Sequence, residues 1–183
     1  MHPAFLYLPG RALSVPELAA ARIDGDLFDI GEGFIPADLV EAPGTRAASI
    51  ATLIPVDTAA SGPTAAWIHG AGDTPPAIHH VRRAVERRIR AKLPARVVLH
   101  DTSVPSADLV TVGGVPVMSP TRTMVDLALG LHRDESLMRW LVLLAESDET
   151  LVSAAIDRID RLARVPGTKA ARAALVRTAL RTR

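Results

Sequence analysis

Apolar and polar positions at the start of the chain predict a helix followed by a hairpin. The run Ser14-Val15-Pro16-Glu17 has the spacing of a capping box, with proline in the first turn, and predicts a short helix. Two short apolar runs, residues 27–30 and 34–36, flank a glycine-rich turn and predict a β-hairpin. Residues 43–53 have apolar positions at helical spacing. We therefore expect a small N-terminal helix–hairpin unit over residues 1–58.

The middle of the chain mixes β-strand patterns with one short helix. Ser61-Gly62-Pro63 predicts the start of a helix that ends at Gly70. Pro116 lacks an amide N–H, so the strand that contains it is predicted to be an edge strand or to carry a bulge. Four apolar runs predict strands, at residues 77–81, 96–100, 109–112 and 115–118.

The last third of the chain is predicted to be helical. Ser119 followed by Pro120 has the pattern of an N-cap serine and a first-turn proline. The chain is therefore expected to be an α+β protein, in which residues 59–183 combine a mixed β-sheet and helices with a C-terminal helical bundle. Four helices are expected, at about residues 120–130, 135–146, 149–164 and 168–181.

Composition narrows the class of protein. The chain has no cysteine, which excludes disulfides, thiolate zinc sites and cysteine nucleophiles and agrees with a reducing compartment. No basic stretch followed by a long apolar run begins the chain, and the longest apolar run, residues 140–145, is too short to cross a bilayer. We therefore expect a cytoplasmic protein without membrane contact.

The net charge of +1 conceals a strong asymmetry along the chain. Residues 1–41 contain seven acids and two arginines, whereas residues 82–96 contain seven basic residues and one acid. Residues 158–183 contain eight basic residues and one acid. A basic stripe of this kind is typical of surfaces that follow a nucleic-acid backbone or meet an acidic partner.

The basic middle segment has two interpretations. If it is helical, Arg83, Arg87 and Arg90 share one face at spacings of four and seven and form a binding stripe. If it is a surface loop between strands, the charges only solvate it. The candidate binding residues of this segment are Arg82, Arg83, Arg87, Arg88, Arg90 and Lys92.

The C-terminal helices supply a second basic region. Lys169, Arg172 and Arg177 are its candidate binding residues, although part of this pattern only complements the helix dipole. Basic residues on the preceding helix are expected to extend the same region, namely Arg158, Arg161 and Arg164.

No set of residues has the spacing of a catalytic or metal site. His79 and His80 are adjacent on a predicted strand and should point to opposite faces, so no metal site is expected. Arg122 and Asp126, four residues apart, predict an ion pair within one helix rather than catalysis. Phosphate-loop, serine-hydrolase, zinc-protease and Asp/Glu-x-Lys nuclease patterns are missing. The sequence thus predicts no enzyme, no cofactor and no small-molecule substrate.

Four blocks of the middle segment follow one another in an order that resembles a known family. Ser61 and Trp67 lie in the first block, residues 60–70, and Ser119, Arg122 and Asp126 lie in the last. The full set is Ala60-Ser61-Gly62-Pro63-Thr64-Ala65-Ala66-Trp67-Ile68-His69-Gly70, then Val97-Val98-Leu99-His100, then Ser106 to Val117, then Ser119-Pro120-Thr121-Arg122-Thr123-Met124-Val125-Asp126-Leu127-Ala128. The pattern resembles AbiEi-type antitoxin regulators from actinobacteria.

This resemblance implies a transcriptional autoregulator of a type IV toxin–antitoxin system. Such proteins bind operator DNA through an N-terminal winged helix, and their larger C-terminal part counters a nucleotidyltransferase-like toxin. In this chain the place of the recognition helix is taken by Asp24, Asp26 and Asp29, which would repel phosphates, so the winged-helix-like unit is degenerate. Two alternatives stay open: a protein-interaction module that does not bind DNA, and an accessory domain related to those that precede endonuclease-like domains.

Overall fold

The chain folds into seven strands and seven α-helices in the residues that the structure describes. This computed structural model describes residues 5–90, 92–162 and 165–181. The strands are β1 (Leu27–Ile30), β2 (Gly33–Pro36), β3 (Thr58–Ala60), β4 (His79–Arg83), β5 (Val97–Ser103), β6 (Leu109–Val112) and β7 (Val115–Met118). The helices are α1 (Val15–Ile23), α2 (Pro43–Ser49), α3 (Gly62–Ile68), α4 (Pro120–Gly130), α5 (Leu137–Ser147), α6 (Thr150–Asp160) and α7 (Thr168–Arg181). The predicted α+β class is confirmed.

The strands form two sheets. β1 and β2 pair as an antiparallel hairpin, and Tyr7 forms an isolated bridge to Phe34 beside it. The other five strands form a mixed sheet in the order β5-β4-β3-β7-β6. β4 and β5 are parallel, as are β3 and β7, while the pairs β3–β4 and β6–β7 are antiparallel. The predicted N-terminal hairpin and the mixed sheet are both confirmed.

Local sequence signals set the helix starts. Ser14 and Glu17 form the predicted capping box at the start of α1, with the Glu17 carboxylate accepting a hydrogen bond from the Ser14 amide at 2.8 Å. Ser119 caps α4 by accepting a hydrogen bond from the amide of Arg122 at 3.4 Å. Gly113 closes the β6–β7 turn at φ +56°, and a Cβ there would lie 2.2 Å from the carbonyl oxygen of Gly44. This hairpin turn therefore sits directly on α2.

Two sequence predictions need correction. β7 lies between β3 and β6, so the edge position predicted from Pro116 is wrong. β3 is short and pairs with β7 only between Ala60 and Val117. The missing N–H of Pro116 therefore costs no hydrogen bond to β3. The helix predicted over residues 43–53 ends at Ser49, and residues 51–53 form a separate 3-10 turn.

The C-terminal helix boundaries follow the prediction more closely. α7 has the predicted bounds, and the predicted helix of residues 135–146 begins two residues later, at Leu137. The predicted helix of residues 149–164 is observed as α6, which ends at Asp160. Its predicted last residue, Arg164, lies outside the described residues.

The hydrophobic core has two parts that meet at one side chain. One part joins the hairpin, α2, α3 and the mixed sheet around the fully buried Trp67 and Ile50. The other lies among the C-terminal helices around Leu141, Leu144 and Leu175. Trp140, on α5, packs against both parts. In the part of the chain that the structure describes, no helix is long and apolar enough to cross a membrane.

Candidate binding surface

The basic middle segment forms the end of a strand and the crossover loop after it. We call the described residues between β4 and β5, 84–90 and 92–96, the basic loop. Because β4 and β5 are parallel neighbours, this loop runs back along the sheet. Residues 84–90 and 92–96 form bends, a turn and irregular chain, without a helix. The described part of this segment is therefore not helical, and the helical stripe of Arg83, Arg87 and Arg90 does not form.

The first two arginines of the segment are held by the protein itself. Arg82 lies beside α4, with its Nη1 atom 2.7 Å from the Oδ2 atom of Asp126, although the angle is not that of a hydrogen bond. Arg83 donates from Nη2 to the carbonyl oxygen of Asp101 at 2.9 Å and from Nη1 to that of Glu86 at 2.5 Å. Neither guanidinium reaches a ligand without losing these contacts.

The remaining basic side chains of the segment point outwards. Arg87 forms an ion pair with Asp57 and is still 68% exposed. Arg88 is 88% exposed, and its Nε atom lies 3.9 Å from an Asp101 carboxylate oxygen. Arg90 and Lys92 are exposed and form no ion pair with any described residue. Arg88, Arg90 and Lys92 are consequently the cations of the loop with the least internal neutralisation.

A groove lies between the basic loop and β5. Its volume is about 630 Å³, and it is lined by Arg87, Arg88, Ile89, Arg90, Leu99 and Asp101. Two apolar side chains and three guanidinium groups therefore share one concave surface. Such a lining suits a ligand that combines negative charge with an apolar or extended backbone portion.

A chain of five alternating charges holds the sheet to the helices behind this surface. Arg122 donates from Nε to Asp126 at 2.9 Å and from Nη1 to Asp108 at 2.7 Å. Arg158, on α6, binds the same Asp108 carboxylate at 2.6 Å, and Arg82 binds Asp126 from β4. Together these contacts connect β4, α4, α6 and the 3-10 turn before β6. We call this set the charge network.

The charge network confirms the predicted Arg122–Asp126 ion pair within α4. Burial lowers the pKa of Arg122, but the nearby carboxylates of Asp126 and Asp108 outweigh that effect, and the pKa is raised overall. The guanidinium therefore stays charged. The sequence analysis did not predict the contact between Asp108 and Arg158, because these residues are fifty residues apart and share no local spacing.

The first family block is structural in this fold. Trp67 is fully buried, and Arg46 stacks over its ring at 5.5 Å while donating to its carbonyl oxygen at 2.7 Å. Arg46 also binds Glu41 at 2.9 Å. Ser61 occupies the N-cap position of α3, where its amide donates to His80 and its hydroxyl is buried without a partner among the described residues.

The C-terminal basic region is less uniform than the sequence suggests. Arg172 forms an ion pair with Asp160 at 2.9 Å, whereas Lys169 is exposed without an ion pair in the described part of the chain. Arg177 lines a cleft of about 380 Å³ between α4, α5 and α7. Arg158 belongs to the charge network, so the prediction that it extends this basic region is wrong.

The histidines of the sheet behave as predicted for adjacent strand positions. His79 is buried, while His80 lies on the other face, where its Nδ1 atom is 2.9 Å from the Nε2 atom of His100. Burial, followed by the charges of neighbouring cationic or imidazole groups, lowers the pKa of all three imidazoles. No group of three metal-ligating side chains occurs among the described residues.

The acidic N-terminal unit is partly neutralised within the protein. Glu32, in the hairpin turn, forms an ion pair with Arg96 at the start of β5. Asp29 pairs with Arg22 at 2.5 Å. Asp24 and Asp26 are exposed and have no ion pair within the described residues.

Comparison with known protein families decides the family. The model described as the AbiEi antitoxin C-terminal domain matches residues 58–177, about two thirds of the chain. The chain belongs to the AbiEi antitoxin family. Membership of this family confirms the predicted resemblance, supports a role in a toxin–antitoxin system and agrees with a regulatory rather than a catalytic protein.

Other comparisons add little to this assignment. No curated protein matches the chain. Among solved structures, the RV2827C protein from Mycobacterium tuberculosis is similar, with a TM-score of 0.35 and 17% sequence identity. The similarity covers 91% of this chain and 70% of that one and is too distant to bear on function.

Proposed function

We propose that the protein is an antitoxin and autoregulator of a type IV toxin–antitoxin system, that it counters a nucleotidyltransferase-like toxin, and that it binds DNA through the basic loop. Family membership supports the antitoxin role. We also propose that residues 1–58 and 59–183 act as separate functional units. In this proposal neither unit catalyses a reaction or takes a small-molecule substrate.

The observation that carries the DNA contact is the unequal neutralisation of the basic loop. Arg88, Arg90 and Lys92 extend from one short crossover, and the Asp101 carboxylate, 3.9 Å from Arg88, already contacts another arginine. Asp101 contacts Arg83 at 3.1 Å, and Asp57 pairs with Arg87. Cations that lack internal partners gain most from phosphate groups, because binding releases the counterions condensed on DNA.

The N-terminal unit does not contact the phosphate backbone in this proposal. Asp24 and Asp26 lie in the exposed turn between α1 and β1, at the place where a winged helix would present its recognition helix. Their carboxylates are unpaired within the described residues and would repel phosphate. The same acidic turn favours the second candidate function, a protein-interaction module without DNA binding, in which the turn meets a basic patch of a partner.

The test is a salt titration of binding to random duplex DNA and to the DNA upstream of the protein's own gene. The decisive variant is Arg88→Ala/Arg90→Ala/Lys92→Ala. The charge-matched control is Lys169→Ala/Arg177→Ala/Arg181→Ala, which removes three exposed cations from α7. The loop variant should reduce the slope of log affinity against log salt by about 0.9 for each lost phosphate contact, while the α7 variant leaves it unchanged.

Two other results would contradict parts of this proposal. If the α7 variant alone loses affinity, the DNA contact lies on the C-terminal helices and the assignment to the loop is wrong. If the unmodified protein binds neither DNA at low salt, the DNA-binding proposal fails, and the protein-interaction module becomes the better account of the same surfaces.

A further inference from the structure

The outer edge of the mixed sheet is a strand with unused hydrogen-bonding groups. β5 ends the strand order and pairs on one side only, with β4. The amide of His79 donates to the carbonyl oxygen of Arg96 at 2.7 Å, which fixes the direction of the parallel ladder. Along a strand, successive residues direct their N–H and C=O groups to opposite sides, so those of Leu99 point away from β4. No described residue pairs with them.

Two outward-facing groups beside Leu99 are already used, since the N–H of Val97 donates to Pro94 and the carbonyl oxygen of Asp101 accepts from Arg83, so the free part of the edge is centred on Leu99. Side chains along this part of β5 are exposed. Val98 is 43% exposed, and His100, Asp101 and Thr102 are all exposed. Proteins commonly protect a free edge with proline, a bulge or an inward-pointing charge, because such an edge pairs readily with another chain. Here the one irregularity between β4 and β5 comes late in the strand, at Arg82/Arg83, and Leu99 lies before it.

The groove beside this edge has the charge that an acidic partner would need. Leu99 and Asp101 line it together with Ile89 and with the guanidinium groups of Arg87, Arg88 and Arg90. The carboxylate of Asp101 contacts Arg83 at 3.1 Å, so its negative charge is largely compensated. A strand added next to β5 would lay alternate side chains against these arginines and against the apolar floor.

We propose that β5 and this groove bind an extended acidic segment of a partner protein, which adds a sixth strand to the sheet. The proposal goes beyond DNA binding, although it shares Arg88 and Arg90 with it, so an acidic peptide and DNA should compete. Nucleic acid in the groove would leave the Leu99 backbone groups and the apolar floor unused. The backbone edge is therefore the feature that favours a peptide.

A second copy of the chain fits the edge poorly. When two β5 strands pair antiparallel in one continuous sheet, the twofold axis is perpendicular to the sheet, so both basic loops lie on the same face. The three arginines of one groove would then approach those of the other, and like charges across a seam are unfavourable. Charge complementarity thus points to an acidic partner and away from self-association.

The test uses the full chain and a labelled heptapeptide that alternates glutamate and valine. Binding is measured by fluorescence anisotropy, with a lysine–valine peptide as the charge-inverted control. Two further peptides carry N-methyl groups on alternate residues, one on each edge of the extended strand. We expect the glutamate peptide to bind, the lysine peptide not to bind, and methylation of one edge only to weaken binding at least about tenfold.

Two variants separate the edge from the side chains. Leu99→Ala removes the side chain but keeps the backbone N–H, whereas Leu99→Pro also removes the N–H, at a position where the sheet does not use it. Leu99→Pro should bind the peptide at least about tenfold more weakly than Leu99→Ala. If Leu99→Pro fails to fold, the pair of methylated peptides still decides the question.

Several outcomes would overturn the inference. Equal binding of both methylated peptides would show charge attraction without strand addition. Peptide binding that survives Arg88→Ala/Arg90→Ala would place the partner elsewhere. A concentration-dependent dimer that Leu99→Pro abolishes, without peptide binding, would show self-pairing. If Leu99→Pro lowers the DNA affinity as much as the loop variant does, nucleic acid occupies the groove. If the protein does not bind DNA but still binds the peptide, only the proposed function fails.

Discussion

The charge network and the basic loop contain the same kind of side chain in opposite circumstances. Arg82, Arg122 and Arg158 each contact a carboxylate that is at most 9% exposed. Arg88, by contrast, is 88% exposed, and its nearest carboxylate is 3.9 Å away. Both groups look equally basic in the sequence. The difference teaches that the role of an arginine depends on which acids the fold brings within reach of it.

The two regions also differ in what their removal should cost. A half-buried guanidinium that loses its carboxylate keeps its charge in a poorly hydrated place, and that penalty destabilises the fold. An exposed guanidinium is already hydrated and contributes little to stability, so its removal should affect only binding. Stability and binding measurements on matched variants therefore separate the regions.

The largest effect is expected from Asp108→Ala. This change leaves Arg122 and Arg158 without their shared carboxylate and should lower the free energy of unfolding by about 2–3 kcal/mol, below the full cost of a buried pair because Arg158 is partly exposed. The melting temperature should fall by about 5–10 °C in calorimetry. The control is Asp160→Ala, whose carboxylate is 47% exposed and pairs with an Arg172 side chain that is 50% exposed, and which should stay within about 0.5 kcal/mol of the unmodified protein. Equal losses in the two variants would contradict the distinction.

An intermediate effect is expected from acidification. The pKa of His69 is lowered chiefly by burial, although its contact with the Met118 carbonyl oxygen opposes this, and the pKa values of His79, His80 and His100 are lowered as well. The unfolded chain therefore binds more protons as the pH falls below the ordinary histidine value of 6.5. Stability should be fully present above that value and be lost between it and the lower folded values.

Calorimetry at a series of pH values would check this dependence. The melting temperature should fall as the pH is lowered through the window below 6.5, and His69→Gln should reduce the slope. Substitution of the exposed His132 by glutamine is the control and should leave the slope unchanged. A melting temperature that is flat over this window would show that burial of these imidazoles does not control stability.

The smallest effect on stability is expected from the loop itself. Arg88→Ala/Arg90→Ala/Lys92→Ala should leave the free energy of unfolding within about 0.5 kcal/mol of the unmodified protein, because these side chains form no close ion pair in the described structure. Urea denaturation would measure this. If the free energy of unfolding falls by more than about 1 kcal/mol, the loop contributes to stability, and the distinction from the charge network is wrong.

Local sequence signals predicted most of the fold. The capping box at Ser14 and the Ser119-Pro120 helix start each act within a few residues, and both are present as expected. The Arg122–Asp126 ion pair was predictable for the same reason, since four residues separate neighbours on a helix. Sequence spacing therefore predicted most helices and strands, but not β3 (Thr58–Ala60) or the end of α2 at Ser49.

Contacts between residues far apart in the chain decided the strand order and the ion pairs. Strand order placed Pro116 in the interior of the sheet and β5 at its edge, and no spacing along the chain contains that information. Only the folded chain brings Arg158 to Asp108 and Arg83 to Asp101, which withdraws some charges from the surface and leaves others free. The sequence by itself determined most of the elements, the family resemblance and the total charge. The tertiary structure decided which cations are available, because neutralisation depends on distances of a few ångströms between residues far apart in the chain.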